Sequence, residues 1–342
     1  MNNFENFRLA VSREGLPSHV PTGENDIPIT VIEAFLDEPV NDIPTYVSFW
    51  QKAGYDYVLS EIRGQFIADS FQVKIAEGVR EMPERPKSVS TFETGCVKDE
   101  KTFNEYPWIG TKDVYYKDMD LIEQHLPENM KVILCHGPIF SGMMRIMGLE
   151  TMCIASFENP QLIKAMADKI GNLAVNIVEN ALQRDYVGGL WLGDDMAYAT
   201  SLMVSPDFLR EYIFPFYKKI GDICKRHNKL FIFHSDGYLA EVFDDLIGCG
   251  IQAIHPNEPQ SVDIVELKKR LCHKVALVGN VDVDLLTRGS KEDVIKATMN
   301  LIENVAPGGG FVLGSGNSIA DYIPLENYKA MLETVKEFGN IY

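Results

Sequence analysis

The sequence predicts an α/β protein built as a (β/α)8 barrel. From residue 131 onward, short runs recur that are apolar at nearly every position, as expected for parallel strands covered on both faces. Amphipathic helical patterns separate the runs, and this alternation indicates a parallel sheet. A polar cluster ends each run. A barrel builds its active face from all the loops that follow its strands, whereas an open doubly wound sheet concentrates its site at one crevice. We therefore favour the barrel over the open sheet.

The predicted strands divide into a regular later set and a less certain early set. The later runs are 131–138, 188–196, 229–237, 251–259, 275–282 and 310–318. Two earlier strands are expected at 24–35 and 55–62, after an N-terminal extension. The segment 77–113 is charged and loop-rich, so it is predicted to be an insertion or a lid over the barrel mouth. The sequence shows no internal repeat and no linker that would divide it into two domains, so residues 1–342 are interpreted as a single barrel domain.

Capping residues mark where several helices begin. Asn159–Pro160 and Ser205–Pro206 each place an N-cap residue before a proline at the first helical position. Ser290–Asp293 reads as a capping box, and Pro324 opens the last helix. Pro215 lies within the pattern that starts after Ser205, and it should break or kink that helix.

Charge and cysteine content limit the class of protein. The chain has 342 residues, 49 of them acidic and 32 basic, for a formal net charge of -17. Such a negative surface disfavours binding to nucleic acid and to anionic membranes. The six cysteines form no C-x-x-C pair, which is typical of reduced thiols in a cytoplasmic protein. No apolar signal region or bilayer-length run is present, so we expect a cytoplasmic location.

The candidate catalytic residues lie at the ends of two neighbouring strand runs. His234 and Asp236 would share one face of a continuing strand, where a histidine and a carboxylate can ligate a metal or act as an acid/base pair. The alternative is that His234 only hydrogen-bonds neighbouring loops. Asp194 and Asp195 are adjacent, so one is expected to face the site and the other to cap the following helix. Two close carboxylates would also raise one another's pKa.

Polar residues at the ends of the other runs are candidates for binding a substrate. They are His136, His255, Asn257, Glu258, Asn280, Asp282 and Asn317. Structural roles compete with this interpretation, because the residues from 255 to 258 also favour a turn and Asp282 could cap the next helix. Asn317 follows a glycine and could donate its side-chain amide to a ligand.

Three stretches, 189–220, 233–256 and 279–286, together with the C-terminal "GGGFVLGSGNSI", resemble the uroporphyrinogen decarboxylase superfamily. The resemblance runs from about residue 15 to the end, and it implies a (β/α)8 barrel with its site at the carboxyl ends of the strands. The haem-pathway decarboxylases of this superfamily carry an arginine-rich N-terminal stretch that grips substrate carboxylates. This chain reads "REGLPSHVPTGENDIPITVIEAF" there, which argues against porphyrinogen decarboxylation.

The other branch of the superfamily consists of corrinoid-dependent methyltransferases. Its thiol-methylating members bind zinc through His-x-Cys and a later cysteine. The corresponding residues here are His234-Ser235-Asp236 and Gly314-Ser315-Gly316-Asn317, so the histidine is kept and both thiolates are missing. A harder, oxygen-rich metal site of His234 with Asp236 and with Asp194 or Asp195 is implied, for zinc or another ion.

The resemblance, with both thiolates missing, therefore implies a demethylase component that moves a methyl group from a small molecule, methoxylated or otherwise methylated, to the cobalt of a corrinoid protein. The expected partners are that corrinoid protein and the methyl donor, without nucleic acid or membrane; the oligomeric state stays open, with a homodimer as one candidate. A cofactor-independent decarboxylase or lyase acting on another acid is the alternative. A third hypothesis is a ligand-binding barrel without catalysis, since fold alone does not establish activity.

Overall fold

Seven parallel strands form one sheet in which the spatial order of the strands is their order along the chain. The structure is a computed structural model that describes residues 2–61 and 95–342. The strands are β1 (Tyr57–Glu61), β2 (Lys131–His136), β3 (Val187–Gly193), β4 (Leu230–His234), β5 (Ala253–His255), β6 (Ala276–Val281) and β7 (Phe311–Ser315). Every later run and the run at 55–62 contain a strand, so these predictions are confirmed.

The strand predicted at 24–35 is wrong, because Ile29–Leu36 forms helix α2. Its β-branched residues favour a strand locally, but the helix buries Val31 and Ile32 on one side, and this packing overrides the local preference. The position beside β7 is taken instead by the residues just before that segment. Thr22 forms an isolated parallel bridge with Leu313 of β7.

The segment 21–24 joins the two edges of the sheet. On one side, the Gly23 amide donates to the Leu313 carbonyl at 2.9 Å. On the other, Tyr57 of β1 accepts from the Glu24 amide at 2.7 Å and donates to the Glu24 carbonyl at 2.5 Å. Because β1 and β7 both contact this segment, the sheet is curled into a barrel, as the sequence predicts.

The helices surround the curled sheet and cover its N-terminal end. They are α1 (Phe4–Ser12), α2 (Ile29–Leu36), α3 (Ile43–Ala53), α4 (Glu100–Glu105), α5 (Lys117–Glu123), α6 (Phe140–Met147), α7 (Leu149–Glu158), α8 (Pro160–Leu182), α9 (Pro206–Tyr212), α10 (Phe214–Arg226), α11 (Phe243–Gly248), α12 (Ile264–Leu271), α13 (Val283–Arg288), α14 (Lys291–Asn304) and α15 (Leu325–Phe338). Helix α1 lies against β4, β6 and β7, and its Phe7 ring contacts Tyr57 of β1 at 4.7 Å between centroids. None of the helices in the described ranges combines the length and apolarity needed to cross a bilayer.

The predicted helix starts are confirmed. The Asn159 and Ser205 side chains accept hydrogen bonds from the first turns of α8 and α9, and Ser290–Asp293 forms the capping box of α14. The helical pattern around Pro215 is broken into α9 and α10, with Ile213 between them. This is the expected effect of a residue that lacks an amide hydrogen and clashes with the preceding turn.

Part of the predicted lid, 77–94, lies outside the described residues. Its remainder contains α4 and a short 3-10 turn at Thr111–Asp113. The Gly95 and Val97 amides donate to the carbonyls of Met147 and Ile146 at 3.1 and 3.2 Å, which attaches this segment to the end of α6. The role of 77–113 as a lid and the interpretation of 1–342 as one domain stay predictions.

Candidate functional site

Three polar side chains meet at the carboxyl ends of β3 and β4. The Nε2 atom of His234 lies 3.5 Å from Asp195 Oδ1 and 3.6 Å from Asp236 Oδ1. One ligand atom from each of the three residues lies within 4.8 Å of the others. We call Asp195, His234 and Asp236 the Asp–His–Asp cluster. Within the described ranges, it is the group of histidine, cysteine and acid side chains that could hold a metal ion.

The register of the sheet and one glycine create this arrangement. Gly193 of β3 pairs with His234 of β4, so the residues that follow both strands leave the sheet at the same level. The Asp236 amide then donates to Asp195 Oδ1 at 3.2 Å. Gly237 has a φ of +83°, and a Cβ atom there would lie 2.4 Å from the Tyr198 carbonyl oxygen. The sharp turn after Asp236 therefore requires a glycine.

Asp236 is held from the opposite side of the mouth. The Asn317 side chain, which follows β7, donates to Asp236 Oδ1 at 2.9 Å and to Glu258 Oε1 at 3.4 Å. Glu258 Oε2 accepts from the Gly237 amide at 2.9 Å. Burial raises the pKa of Asp236, His234 lowers it, and the nearby carboxylates of Asp195 and Glu258 raise it further. Loops after β4, β5 and β7 are thus tied together at one point.

Asp194 points away from the cluster, into the start of α6. Its carboxylate accepts hydrogen bonds from the amides of residues 139, 140 and 141, from the Ser141 hydroxyl and from the Tyr217 hydroxyl, at 2.6–2.8 Å. Asp194 is 1% exposed. Burial raises its pKa, and the hydrogen bonds from Tyr217, Ser141 and Phe140 oppose the rise. We expected one of the two aspartates to cap the helix after β3, but Asp194 caps the helix after β2.

His255 lies beside His234, its partner in the β4–β5 register. Their Nδ1 atoms are 2.7 Å apart, and the His255 ring stands perpendicular to Trp191 with 5.0 Å between ring centroids. His255 is 0% exposed. Burial lowers the pKa of His255 well below its usual value, and the neighbouring His234 lowers it further.

Other predicted binding residues have structural contacts. Asn257 donates to the carbonyls of Ile254 and Val278, and Asn280 donates to the Asn257 carbonyl at 2.7 Å. These bonds join the loop after β5 to strand β6, in keeping with the turn expected at residues 255 to 258. Asp282 caps α13 by accepting from the Asp284 amide at 2.7 Å. His136 is buried at the end of β2. Their substrate-binding roles stay predictions.

A cavity of about 500 Å³ is lined by the loops after β5, β6 and β7 and contains no member of the cluster. Its lining includes Asp282, Glu258 and Asn317, and Asn317 donates to Asp236 of the cluster. Among the described residues that line it, Arg288 is the one cation, and its guanidinium pairs with Asp284 at 3.0 Å. This volume suits a small ligand, and its lining favours neutral or cationic groups over a polyanion. A larger groove of about 740 Å³, between α3 and α15, includes neither Asn317 nor Glu258.

Glu24 is a buried acid that the sequence analysis missed. It is 0% exposed, and its two carboxyl oxygens accept from the Ser315 amide at 2.6 Å and the Ser315 hydroxyl at 2.7 Å. Burial raises its pKa to about 8, against the lowering effect of these two hydrogen bonds. Glu24 therefore fixes the end of β7, two residues before Asn317. An acid at the start of a predicted strand gave no local sign of this contact.

Comparison with known proteins identifies the family. A family profile described as uroporphyrinogen decarboxylase (URO-D) matches residues 49–338. The chain belongs to the uroporphyrinogen decarboxylase family. The predicted resemblance is thereby confirmed at the level of the family, and the chain is an enzyme of the URO-D superfamily with a methyltransferase among its relatives.

Two curated relatives of this URO-D family member represent the two branches. A methylcobamide:CoM methyltransferase from Methanosarcina barkeri is 27% identical over 136 residues, covering 40% of this chain and 38% of the relative. A uroporphyrinogen decarboxylase from Anaeromyxobacter dehalogenans is 25% identical over 195 residues, covering 56% of this chain and 51% of the relative. The matched regions therefore span about half or less of these relatives.

A solved structure supports the fold along the whole chain. A methyltransferase from Methanosarcina mazei superposes with a TM-score of 0.72, covering 97% of this chain and 98% of the other. The two sequences are 15% identical, so the likeness establishes the barrel fold alone.

Proposed function

We propose that this protein is a methyltransferase that takes a methyl group from a small methylated substrate, a methoxylated compound, and passes it to the cobalt of a corrinoid on a partner protein. The observation that carries the proposal is the Asp–His–Asp cluster, which Asn317 links to a cavity of about 500 Å³ at the barrel mouth. The relative named for methylcobamide:CoM methyl transfer supports this branch of the family.

The donor atoms of the cluster fit a zinc ion. Tetrahedral zinc with ligands at 2.0–2.2 Å places those ligands about 3.4 Å from one another. The His234 Nε2 separations of 3.5 and 3.6 Å from the two carboxylates match that value, and one ligand atom from each of the three residues lies within 4.8 Å of the others. One imidazole and two carboxylates leave a fourth position open, which is typical of a catalytic site. A bound zinc ion would supply a Lewis acid for the departing oxygen of the substrate.

The oxygen-rich donor set favours demethylation over thiol methylation. Activation of a thiol calls for a soft, thiolate-rich zinc site, and neither His234-Ser235-Asp236 nor Gly314-Ser315-Gly316-Asn317 contains a cysteine. In demethylation, the methyl carbon–oxygen bond breaks and the electron pair stays on the substrate oxygen. Asp195, His234 and Asp236 would hold the cation that stabilises this oxygen. Asn317 and Glu258 would fix Asp236 and the turn that follows it.

The lining of the cavity also separates this proposal from its alternative. A decarboxylase acting on a polycarboxylate needs cations to pair with the substrate. The described lining contains Arg288, already paired with Asp284, together with Glu258 and Asp282.

The formal net charge of -17 is also suited to a partner protein with a basic docking face.

Two measurements test the proposed function. The first is the metal content of protein purified without chelator, by elemental mass spectrometry, for the wild type, His234→Ala and the control Asp282→Asn. We expect one equivalent of zinc in the wild type and the control, and loss of zinc in His234→Ala. No metal in the wild type would contradict the metal-dependent part of the proposal.

The second measurement follows the optical spectrum of free cob(I)alamin mixed with the enzyme and a panel of methoxybenzoates and methoxyphenols. Methylation of cobalt that depends on enzyme and on a methoxylated compound would support the proposal. Failure of every methoxylated compound, with carbon dioxide released from a carboxylic acid in the absence of corrinoid, would establish the lyase alternative.

A further inference from the structure

The contact between His234 and His255 imposes a rule on their protons. Their Nδ1 atoms lie 2.7 Å apart, which is a hydrogen-bond distance. Two bare nitrogen lone pairs repel at this distance, and so do two N–H groups. One of the two Nδ1 atoms therefore carries a hydrogen and donates it to the other.

The two possible directions of this bond have opposite consequences for the Asp–His–Asp cluster. If His255 donates, neutral His234 carries its hydrogen on Nε2, which faces Asp195 and Asp236 and cannot then bind a metal. If His234 donates, its Nε2 atom presents a lone pair to the position between the two carboxylates. The hydrogen of His255 then lies on Nε2, a buried atom with no hydrogen-bond partner among the described residues.

We propose that His255 is a positioning residue that accepts the Nδ1 hydrogen of His234 and so makes His234 Nε2 a metal ligand. This inference rests on the proposed metal-dependent function. Three features of His255 suit it to the role. Its Nδ1 atom lies 2.7 Å from His234 Nδ1, so it is placed to accept. It is 0% exposed, so water cannot replace it. Its contact with Trp191 fixes the plane of the ring.

A neutral acceptor also suits the charge of the site. Histidine ligands in proteins commonly donate their second nitrogen to a carboxylate or a carbonyl. Here Asp195 and Asp236 already supply two negative charges, which balance one divalent cation. A third carboxylate behind His234 would add a buried, uncompensated charge, and that is costly. A buried histidine supplies the acceptor and orients the ligand without adding charge.

The test compares two substitutions of similar shape. His255→Asn keeps an acceptor close to the position of Nδ1, whereas His255→Leu has nearly the same volume and no acceptor. Zinc affinity is measured by competition with a chromophoric chelator, so the readout does not depend on activity. Loss of such a partner typically weakens binding about 10–100-fold. We expect that loss in His255→Leu and a smaller one in His255→Asn.

A second readout reports the proton position directly. Long-range 15N–1H spectra of the zinc-loaded wild type should show His234 protonated on Nδ1 and His255 protonated on Nε2. His234→Gln assigns the His234 signals. Circular dichroism confirms that both His255 variants fold.

Three outcomes would overturn the inference. Equal zinc affinities for His255→Asn and His255→Leu would show that the acceptor is irrelevant, while leaving the proposed function intact. A zinc-loaded wild type with His234 protonated on Nε2 would also refute it, by placing the metal elsewhere. Absence of zinc binding by the wild type would refute both this inference and the metal-dependent function.

Discussion

Replacing Glu24 with glutamine should make the protein less sensitive to rising pH. Glutamine has the same shape as a protonated glutamate. Its amide can accept from the Ser315 backbone amide and donate to the Ser315 hydroxyl, so both hydrogen bonds at the end of β7 can be kept. The substitution therefore removes one titratable group from a fully buried position and leaves the surrounding packing unchanged.

The size of the effect follows from the pKa of Glu24, which burial raises from 4.5 to about 8. Between these values the folded state keeps a proton that the unfolded state has released, so the free energy of unfolding falls as pH rises. Integrated over the titration, the wild type should lose about 3–4 kcal/mol relative to Glu24→Gln between pH 5 and pH 8. The contribution is fully present below the unfolded pKa and is lost as pH rises through the folded pKa.

The assay is urea denaturation followed by tryptophan fluorescence, since Trp50 and Trp191 are fully buried. Wild type and Glu24→Gln are compared at several pH values from 5 to 8 at constant ionic strength. Glu303→Gln, the same chemical change at an exposed carboxylate of α14, is the control and should follow the wild type. Parallel pH dependences for wild type and Glu24→Gln would refute the buried-proton argument.

Three further substitutions test the supports of the site. Tyr217→Phe removes the hydroxyl that donates to the Asp194 carboxylate at 2.6 Å, and urea denaturation should show a loss of about 1.5–3 kcal/mol in the free energy of unfolding. An unchanged free energy of unfolding would contradict a stabilising role for this buried hydrogen bond. Gly237→Ala places a Cβ atom 2.4 Å from a backbone oxygen at a φ of +83°, so it should both lower the melting temperature and weaken zinc binding. A variant with the wild-type melting temperature and zinc affinity would be inconsistent with the turn geometry. Asn317→Ala removes the donor to Asp236 and should weaken zinc binding about tenfold in chelator competition, whereas equal affinity would mean that Asp236 does not need this support.

Where local pattern and tertiary packing agree, the sequence predicted the structure well. The apolar runs that contain β2 to β7 are covered on both faces, so their residues need to be hydrophobic throughout. This requirement can be recognised in the sequence itself. The caps at Asn159, Ser205 and Ser290 depend on residues within one turn. The prediction of a strand at 24–35 failed because the β-branched residues there favour a strand, whereas their packing selects a helix.

The sequence by itself determined the parallel sheet, the helix boundaries and the presence of polar residues at the strand ends, because these depend on neighbours within a few positions. Only the tertiary structure decided which polar residues meet. Asp194 turns towards α6 and Asp195 towards His234, a choice made by amides that lie more than fifty residues earlier. Glu24 reaches Ser315 across 291 positions, and His255 meets His234 through the β4–β5 register. Such contacts link distant parts of the chain, and no local pattern records them.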